Sequence, residues 1–303
     1  MTEATSQPAA AHTPVELRSL DDRVEIAPGV DMPRLGLGTF RAADGSEVEN
    51  EVAYALKIGY RGIDTAAMYA NERGVGRALR ASGVPRGELF VATKVWNTDQ
   101  GYQSTLIAFE RSLARLELDY LDLYLVHWPD PRRGRDTWRA MEELRASGKV
   151  RSIGVCNYLV DHLEDLLPFA EVLPAVNQVE HNPWVQRPEL RSFCAERGIT
   201  LQAWAPVIRG KAASIPTLVD IGRGHGKTPA QVSIRWILQH GATTIPKSTH
   251  EERIAENADV YDFALTAEEM AAIDALDRRK GVSPSPDFVV RMGWATRLRR
   301  TTR

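Results

Sequence analysis

From residue 34 onward, short apolar runs rich in β-branched and aromatic residues alternate with longer stretches whose apolar positions recur at helical spacing. The runs predict strands over residues 35–38, 62–64, 89–94, 121–127, 151–156, 175–179, 200–204 and 243–246. Their C-terminal ends lie 23 to 33 residues apart, except for 42 before the last. Each interval has room for one helix that returns the chain, which parallel neighbours require. Eight such units of about thirty residues predict an α/β fold, a closed (β/α)8 TIM barrel. Punctuation agrees: Thr228 caps a helix with Pro229 first and Gln231 completing a capping box, ahead of apolar Val232, Ile234, Trp236, Ile237 and Leu238.

Before the barrel, residues 24–26 and 30–32 flank Ala27-Pro28-Gly29 and predict a β-hairpin with a three-residue turn, placed to plug the barrel floor. Residues 1–23 read as a loose tail, and residues 24–303 as one domain. Its last part, 277–303, is a polar, Pro-containing loop and tail.

Charge and cysteines narrow the class. With 38 basic and 40 acidic residues among 303, the net charge is −2, which argues against a nucleic-acid-binding surface. The one basic cluster, Arg297, Arg299, Arg300 and Arg303, reads as a solvated terminus. Cys156 and Cys194 lack redox or zinc spacing, and no apolar stretch reaches membrane-spanning length, so a cytoplasmic protein without a membrane partner is expected. Three motifs fail. Gly222 to Thr228 lacks the first glycine of a phosphate loop, His250-Glu251 lacks its second zinc histidine, and Gly36 and Gly38 lead to Arg41 rather than completing a dinucleotide fingerprint.

In a parallel barrel, chemistry belongs at the C-terminal strand ends. Asp64, Lys94 and His127 end the second, third and fourth strands, and Tyr69 lies five residues beyond Asp64. Singly, each has a structural reading: a helix cap, a rim aromatic, a charge balance or a core imidazole. Together they place a carboxylate, a phenol, an ammonium and an imidazole in one mouth. There Lys94 is expected to acidify the Tyr69 phenol, Asp64 to keep Lys94 charged, and His127 to orient a carbonyl. A metal-dependent hydrolase built on Asp64, His127 and His181 is the weaker alternative.

The sequence resembles the aldo-keto reductase superfamily, nearest its bacterial 2,5-diketo-D-gluconate reductase-like group. The resemblance runs from about residue 24 to 276. It is carried by Met32-Pro-Arg-Leu-Gly-Leu-Gly38, Asp64-Thr-Ala-Ala-Met-Tyr69, Lys94-Val-Trp-Asn97, Tyr124-Leu-Val-His-Trp-Pro129, Gly154-Val-Cys-Asn157, Asn177-Gln-Val-Glu-His-Asn-Pro183, Ala203-Trp-Ala-Pro206 and Ile245-Pro-Lys-Ser248 with Arg253, Glu256 and Asn257.

It implies a monomeric NADPH-dependent reductase of aldehydes or ketones, with Asp64, Tyr69, Lys94 and His127 as tetrad, Tyr69 as proton donor and NADH as a weaker cofactor. Asn157 and Gln178 would hold the nicotinamide carboxamide, Trp204 would stack on the ring, and Gly38, Thr39, Asp64, Cys156 and Pro206 would line the same site. Lys247, Ser248 and Arg253 would take the adenosine 2′-phosphate, and Thr249, Glu256 and Asn257 would also bind the cofactor. Phe40, Trp96 and Trp128, with Tyr69 and His127, would face a small carbonyl substrate; α-keto aldehydes and keto sugars such as 2,5-diketo-D-gluconate fit. Departures are Cys156 for the usual Ser, Val207-Ile208 for Leu-Gly and His250 for Arg. A regulator that binds NADPH without turnover is the alternative on the same fold.

Overall fold

The computed structural model describes residues 16–291. The first 15 residues and the Arg297–Arg303 cluster lie outside them. Within the stretch read as a tail, Leu17 is buried and Leu20 packs on the core.

Strands β1 (Arg23–Ala27) and β2 (Val30–Pro33) pair antiparallel. Ala27 already pairs with Val30, so the turn holds two residues, Pro28 and Gly29, rather than three. A bulge between Glu25 and Ala27 absorbs the extra residue, and Gly29 takes the positive φ of 72° that the turn requires.

Eight parallel strands follow in strict sequential order: β3 (Leu37–Gly38), β4 (Gly62–Asp64), β5 (Phe90–Val95), β6 (Leu121–Val126), β7 (Val150–Cys156), β8 (Val176–Glu180), β9 (Thr200–Trp204) and β10 (Thr243–Thr244). The sheet closes on itself through a parallel bridge between Leu35 and Thr244. Gly36 N–H donates to Thr244 O at 2.9 Å, Thr244 N–H to Arg34 O at 2.8 Å and Gly38 N–H to Pro246 O at 3.1 Å. The eight predicted strands are all present, the first and last shorter than predicted.

Helices α1 (Ser46–Lys57), α2 (Glu72–Ala81), α3 (Tyr102–Leu116), α4 (Gly134–Ala146), α5 (Val160–Leu166), α6 (Pro188–Ala195), α7 (Pro216–His225), α8 (Pro229–Gln239), α9 (Glu251–Ala258) and α10 (Ala267–Asp274) surround the barrel. A short α11 (Pro286–Arg291) follows within the expected C-terminal loop. No helix among the described residues is long and apolar enough to cross a membrane.

Strand alternation divides the core in two. Val91, Val95, Tyr124, Val126, Ile153, Val155, Leu201 and Ala203 face the helices. Phe90, Ala92, Leu123, Leu125 and Val176 face inward and pack with Ile26, Val30 and Met32 of the hairpin, which plugs the N-terminal end of the barrel.

Candidate active site

The inward series carries the chemistry upward. Positions 90 and 92 continue to Lys94, 123 and 125 to His127, and 176 to Gln178 and Glu180. By the same parity Asp64, Cys156 and Trp204 complete the top layer at the C-terminal mouth, with Gln202 one layer below.

Lys94 is fully buried and its three ammonium protons are placed: Nζ donates to Asp64 Oδ1 at 2.6 Å, to Thr65 O at 2.8 Å and to Tyr69 Oη at 3.4 Å. Tyr69 arrives on a single 3-10 turn, Ala67–Tyr69, ended by Ala70 in the left-handed region at φ 59°. Its half-buried ring lies 5.0 Å from that of Phe40 and edge-on, 5.7 Å, to that of His127. Trp96 meets His127 edge-on from the other side at 5.1 Å. Phe40 is exposed at the rim, while Trp96, Trp128 and Trp204 are half-buried around it. The four tetrad residues therefore converge.

Burial sets the proton affinities. It works most strongly of any single effect against the Lys94 ammonium, but Asp64, Tyr69 and Cys156 together outweigh it and hold Lys94 above the ordinary lysine range. The Tyr69 phenol stands above its ordinary range too: burial raises it, and Lys94 opposes without overcoming that rise. The net acidification expected from the sequence is thus reversed in this geometry, because desolvation outweighs one ammonium. Burial first, and Lys94 second, hold His127 well below the usual histidine range, so its imidazole is neutral; Nδ1 is buried without a hydrogen-bond partner. The Cys156 thiol is likewise driven up by burial.

The amides below the mouth form one network. Gln178 Nε2 donates to Asp64 Oδ2 at 2.8 Å and to Gln202 Oε1 at 2.7 Å, while its Oε1 accepts only the Cys156 thiol at 3.6 Å, leaving acceptor capacity. Asn157, at φ 66°, donates from Nδ2 to His127 O at 3.0 Å and accepts from Trp204 Nε1 at 3.1 Å. Thr39 is committed to the backbone: its hydroxyl and N–H both donate to Asp64 O. Gly38 pairs with Pro246, and Pro206 O accepts the Ser233 hydroxyl at 2.6 Å.

Lys247, Ser248 and Thr249 run from β10 into the start of α9. Ser248 Oγ accepts the His250 N–H at 3.1 Å, Arg253 is exposed on the first turn, Asn257 is buried, and Glu256 accepts the Thr228 hydroxyl at 2.5 Å. Cationic side chains and a hydroxyl at one helix start favour an anion, against Glu251 and Glu252 in the same first turn.

In the loop 207–211, Ile208 and Arg209 both take positive φ, 54° and 53°. The Ile208 side chain is fully buried, and its packing offsets the strain that a β-branched residue meets there. Arg209 Nη2 donates to Ser283 Oγ at 2.8 Å, and Val282 N–H donates to Glu180 Oε1 at 2.6 Å. Gly281 packs so closely on the Glu180 carboxylate that a Cβ would collide with it. The polar segment after residue 276 is therefore fastened across one side of the mouth.

Thr65, Gln202 and Glu180 are site residues that the sequence reading missed. Gln202 and Glu180 carry the same inward parity as the residues it found. His181 has the opposite parity: its ring lies 5.1 Å from that of Trp236 on α8, behind the sheet. Asp64, His127 and His181 are thus not brought together, and a hydrolase site on them has no third ligand.

Comparison with known proteins agrees with this geometry. A sequence model of the Aldo/keto reductase family matches residues 34–278. The chain is 54% identical over 269 residues to the glyoxal reductase of Bacillus subtilis, covering 89% of this chain and 98% of that protein. Among solved structures it is similar to Gox0644 in complex with NADPH, at 42% identity and TM-score 0.83 over 88% of this chain and 97% of that one. It is also similar to a Bombyx mori aldo-keto reductase in complex with NADP, at 34% identity and TM-score 0.82 over 90% and 97%. By sequence, by closed parallel barrel and by the convergence of Asp64, Tyr69, Lys94 and His127 at its mouth, the chain belongs to the aldo/keto reductase family.

Proposed function

We propose that the protein is an NADPH-dependent carbonyl reductase that converts aldehydes or ketones into alcohols, with Tyr69 as proton donor. The observation that carries this is the buried Lys94 ammonium, 2.6 Å from Asp64 and 3.4 Å from the Tyr69 hydroxyl. The glyoxal reductase relative favours small dicarbonyls, and α-keto aldehydes and keto sugars such as 2,5-diketo-D-gluconate suit the same aromatic mouth.

The residues present fit a dinucleotide. Gln178 Oε1 retains an acceptor lone pair for a carboxamide, Trp204 offers a half-buried ring face beside it, and Lys247, Ser248 and Arg253 gather at a helix start suited to phosphate. When bound, NADPH supplies the hydride. NADH, lacking the 2′-phosphate, would be the weaker cofactor.

The chain's own part is positioning and proton supply. Neutral His127 is a hydrogen-bonding partner for a carbonyl oxygen, not a proton source, because its imidazole is uncharged. Tyr69 keeps its proton at rest because burial disfavours phenolate. Negative charge on the substrate oxygen makes that oxygen an alkoxide, a far stronger base than phenolate, so Tyr69 Oη gives up its proton. Lys94 then balances the phenolate left behind. Asp64 is the fixed counter-charge that holds Lys94 in place, itself anchored by Gln178.

The test is Tyr69→Phe. Turnover of glyoxal-type aldehydes should fall by about 10²- to 10⁴-fold while NADPH still binds, as titrated by its fluorescence. Turnover equal to that of the unaltered protein on every carbonyl tried would remove Tyr69 from this role.

A further inference from the structure

Gln178 stands in register with Cys156 on β7 and with Gln202 on β9, so strand pairing puts three inward side chains next to one another. Both amides are buried, and buried amide atoms require partners. The partners at the two ends of this row can only accept. Met32 Sδ, on the hairpin below, takes a proton from Gln202 Nε2 at 3.5 Å, and Asp64 Oδ2 takes one from Gln178 Nε2 at 2.8 Å. Between them, the other Gln178 Nε2 proton goes to Gln202 Oε1 at 2.7 Å. Turning Gln178 over would set its oxygen against the carboxylate, and turning Gln202 over would set its oxygen against the thioether. One orientation therefore satisfies the row, and it leaves Gln178 Oε1 facing the Cys156 thiol at 3.6 Å with a lone pair to spare.

We propose that Gln202 is a positioning residue for the nicotinamide end of the dinucleotide: it fixes the Gln178 amide in the place and orientation in which Oε1 accepts from the carboxamide, and it acts through Gln178. This rests on the assignment of Gln178 to the carboxamide. Asp64 secures one proton of the Gln178 amide, and a single hydrogen bond leaves the side chain free to swing about it. The second bond, from the neighbouring strand, removes that freedom before any ligand arrives. Without Gln202 the amide has to be ordered at the moment of binding, with one buried N–H left unanswered, and both effects lower affinity. The residues assigned to the 2′-phosphate stand apart from this row: Ser248 and Arg253 make their hydrogen bonds to His250, within their own turn. The loss should therefore fall on the nicotinamide end alone.

Calorimetric titration of the full chain with NADPH and with 2′,5′-ADP, which carries the 2′-phosphate but no nicotinamide, separates the two ends. Gln202→Met keeps the length of the side chain without its amide; it should weaken NADPH binding about threefold to tenfold and leave 2′,5′-ADP unchanged. Gln202→Leu serves the same purpose if the methionine variant does not fold. In a Gln178→Met background the same change should add nothing, because the amide it positions is gone. Unchanged NADPH affinity, equal weakening of both ligands, or an undiminished loss in the Gln178→Met background overturns the proposal. If Gln178→Met itself leaves NADPH affinity unchanged, the carboxamide assignment falls as well. If Gln178→Met weakens NADPH while Gln202→Met does not, only the positioning role falls.

Discussion

The two ends of the barrel interior are built from the same strands by opposite rules. At the floor, Phe90, Ala92, Leu123, Leu125 and Val176 meet Ile26, Val30 and Met32 in apolar packing, and the one side-chain hydrogen bond to this set is weak, from Gln202 Nε2 to Met32 Sδ at 3.5 Å. One pleat higher at the mouth, Lys94, Asp64, Gln178, Gln202 and Cys156 are equally buried but held by named hydrogen bonds. The floor tolerates changes of shape within its volume; at the mouth, His127 Nδ1 apart, the buried polar groups answer one another, so removing a partner leaves another unsatisfied. Apolar packing is concentrated in one end and charge placement in the other, as a rigid scaffold presenting a polar site requires.

Removing the central charge should break the contrast most severely. Lys94→Met leaves Asp64 buried opposite an apolar chain, so about 3–5 kcal/mol of stability should disappear along with turnover, read by chemical denaturation and by NADPH consumption. Loss of activity at full stability would mean that Asp64 takes up a proton or reaches water instead. A floor substitution should separate the two properties. Leu123→Ala opens a cavity and should cost about 2–5 kcal/mol while leaving kcat at low temperature within about a factor of two. A collapse in kcat would show that the floor sets the mouth's geometry.

Glu51, whose carboxyl is buried on α1 without a hydrogen-bond partner, is a test outside both ends. Its folded pKa, about 8, lies above its ordinary 4.5, so neutral Glu51 favours folding below the lower value, and that contribution is lost as pH rises through about 8. Thermal melting of Glu51→Gln should therefore match the unaltered protein near pH 4.5 and exceed it increasingly up to about pH 8, by a few kcal/mol at most. A constant gap across that range would exclude the titration.

Much of this was legible in the sequence because alternation is arithmetic: once residues 90 and 92 are inward, so is 94. The Thr228 box forms as read, with Thr228 Oγ1 accepting from Gln231 N–H and Gln231 Oε1 from Thr228 N–H. Local rules did not reveal what depends on distant partners. The hairpin bulge trades one residue of turn for one of strand, which composition does not show. The rise in the Tyr69 pKa comes from the whole enclosing mouth, whereas the sequence displayed only the neighbouring lysine. Glu51 did leave a signal, a charged residue at the i+3 position of an otherwise apolar stripe, but the stripe was not read for its exception.

The smallest expected effect concerns Gly281, whose missing side chain lets the C-terminal segment rest on the Glu180 carboxylate. Gly281→Ala should lift that segment and widen substrate acceptance, raising kcat/KM for bulky relative to small aldehydes by about threefold without altering NADPH affinity; an unchanged ratio would mean that the segment does not border the substrate. A hydrogen atom in place of a methyl thus works as a spacer. On that reading it sets how narrow the doorway is, and evolution could change the guest list there one carbon at a time while leaving the machinery inside untouched.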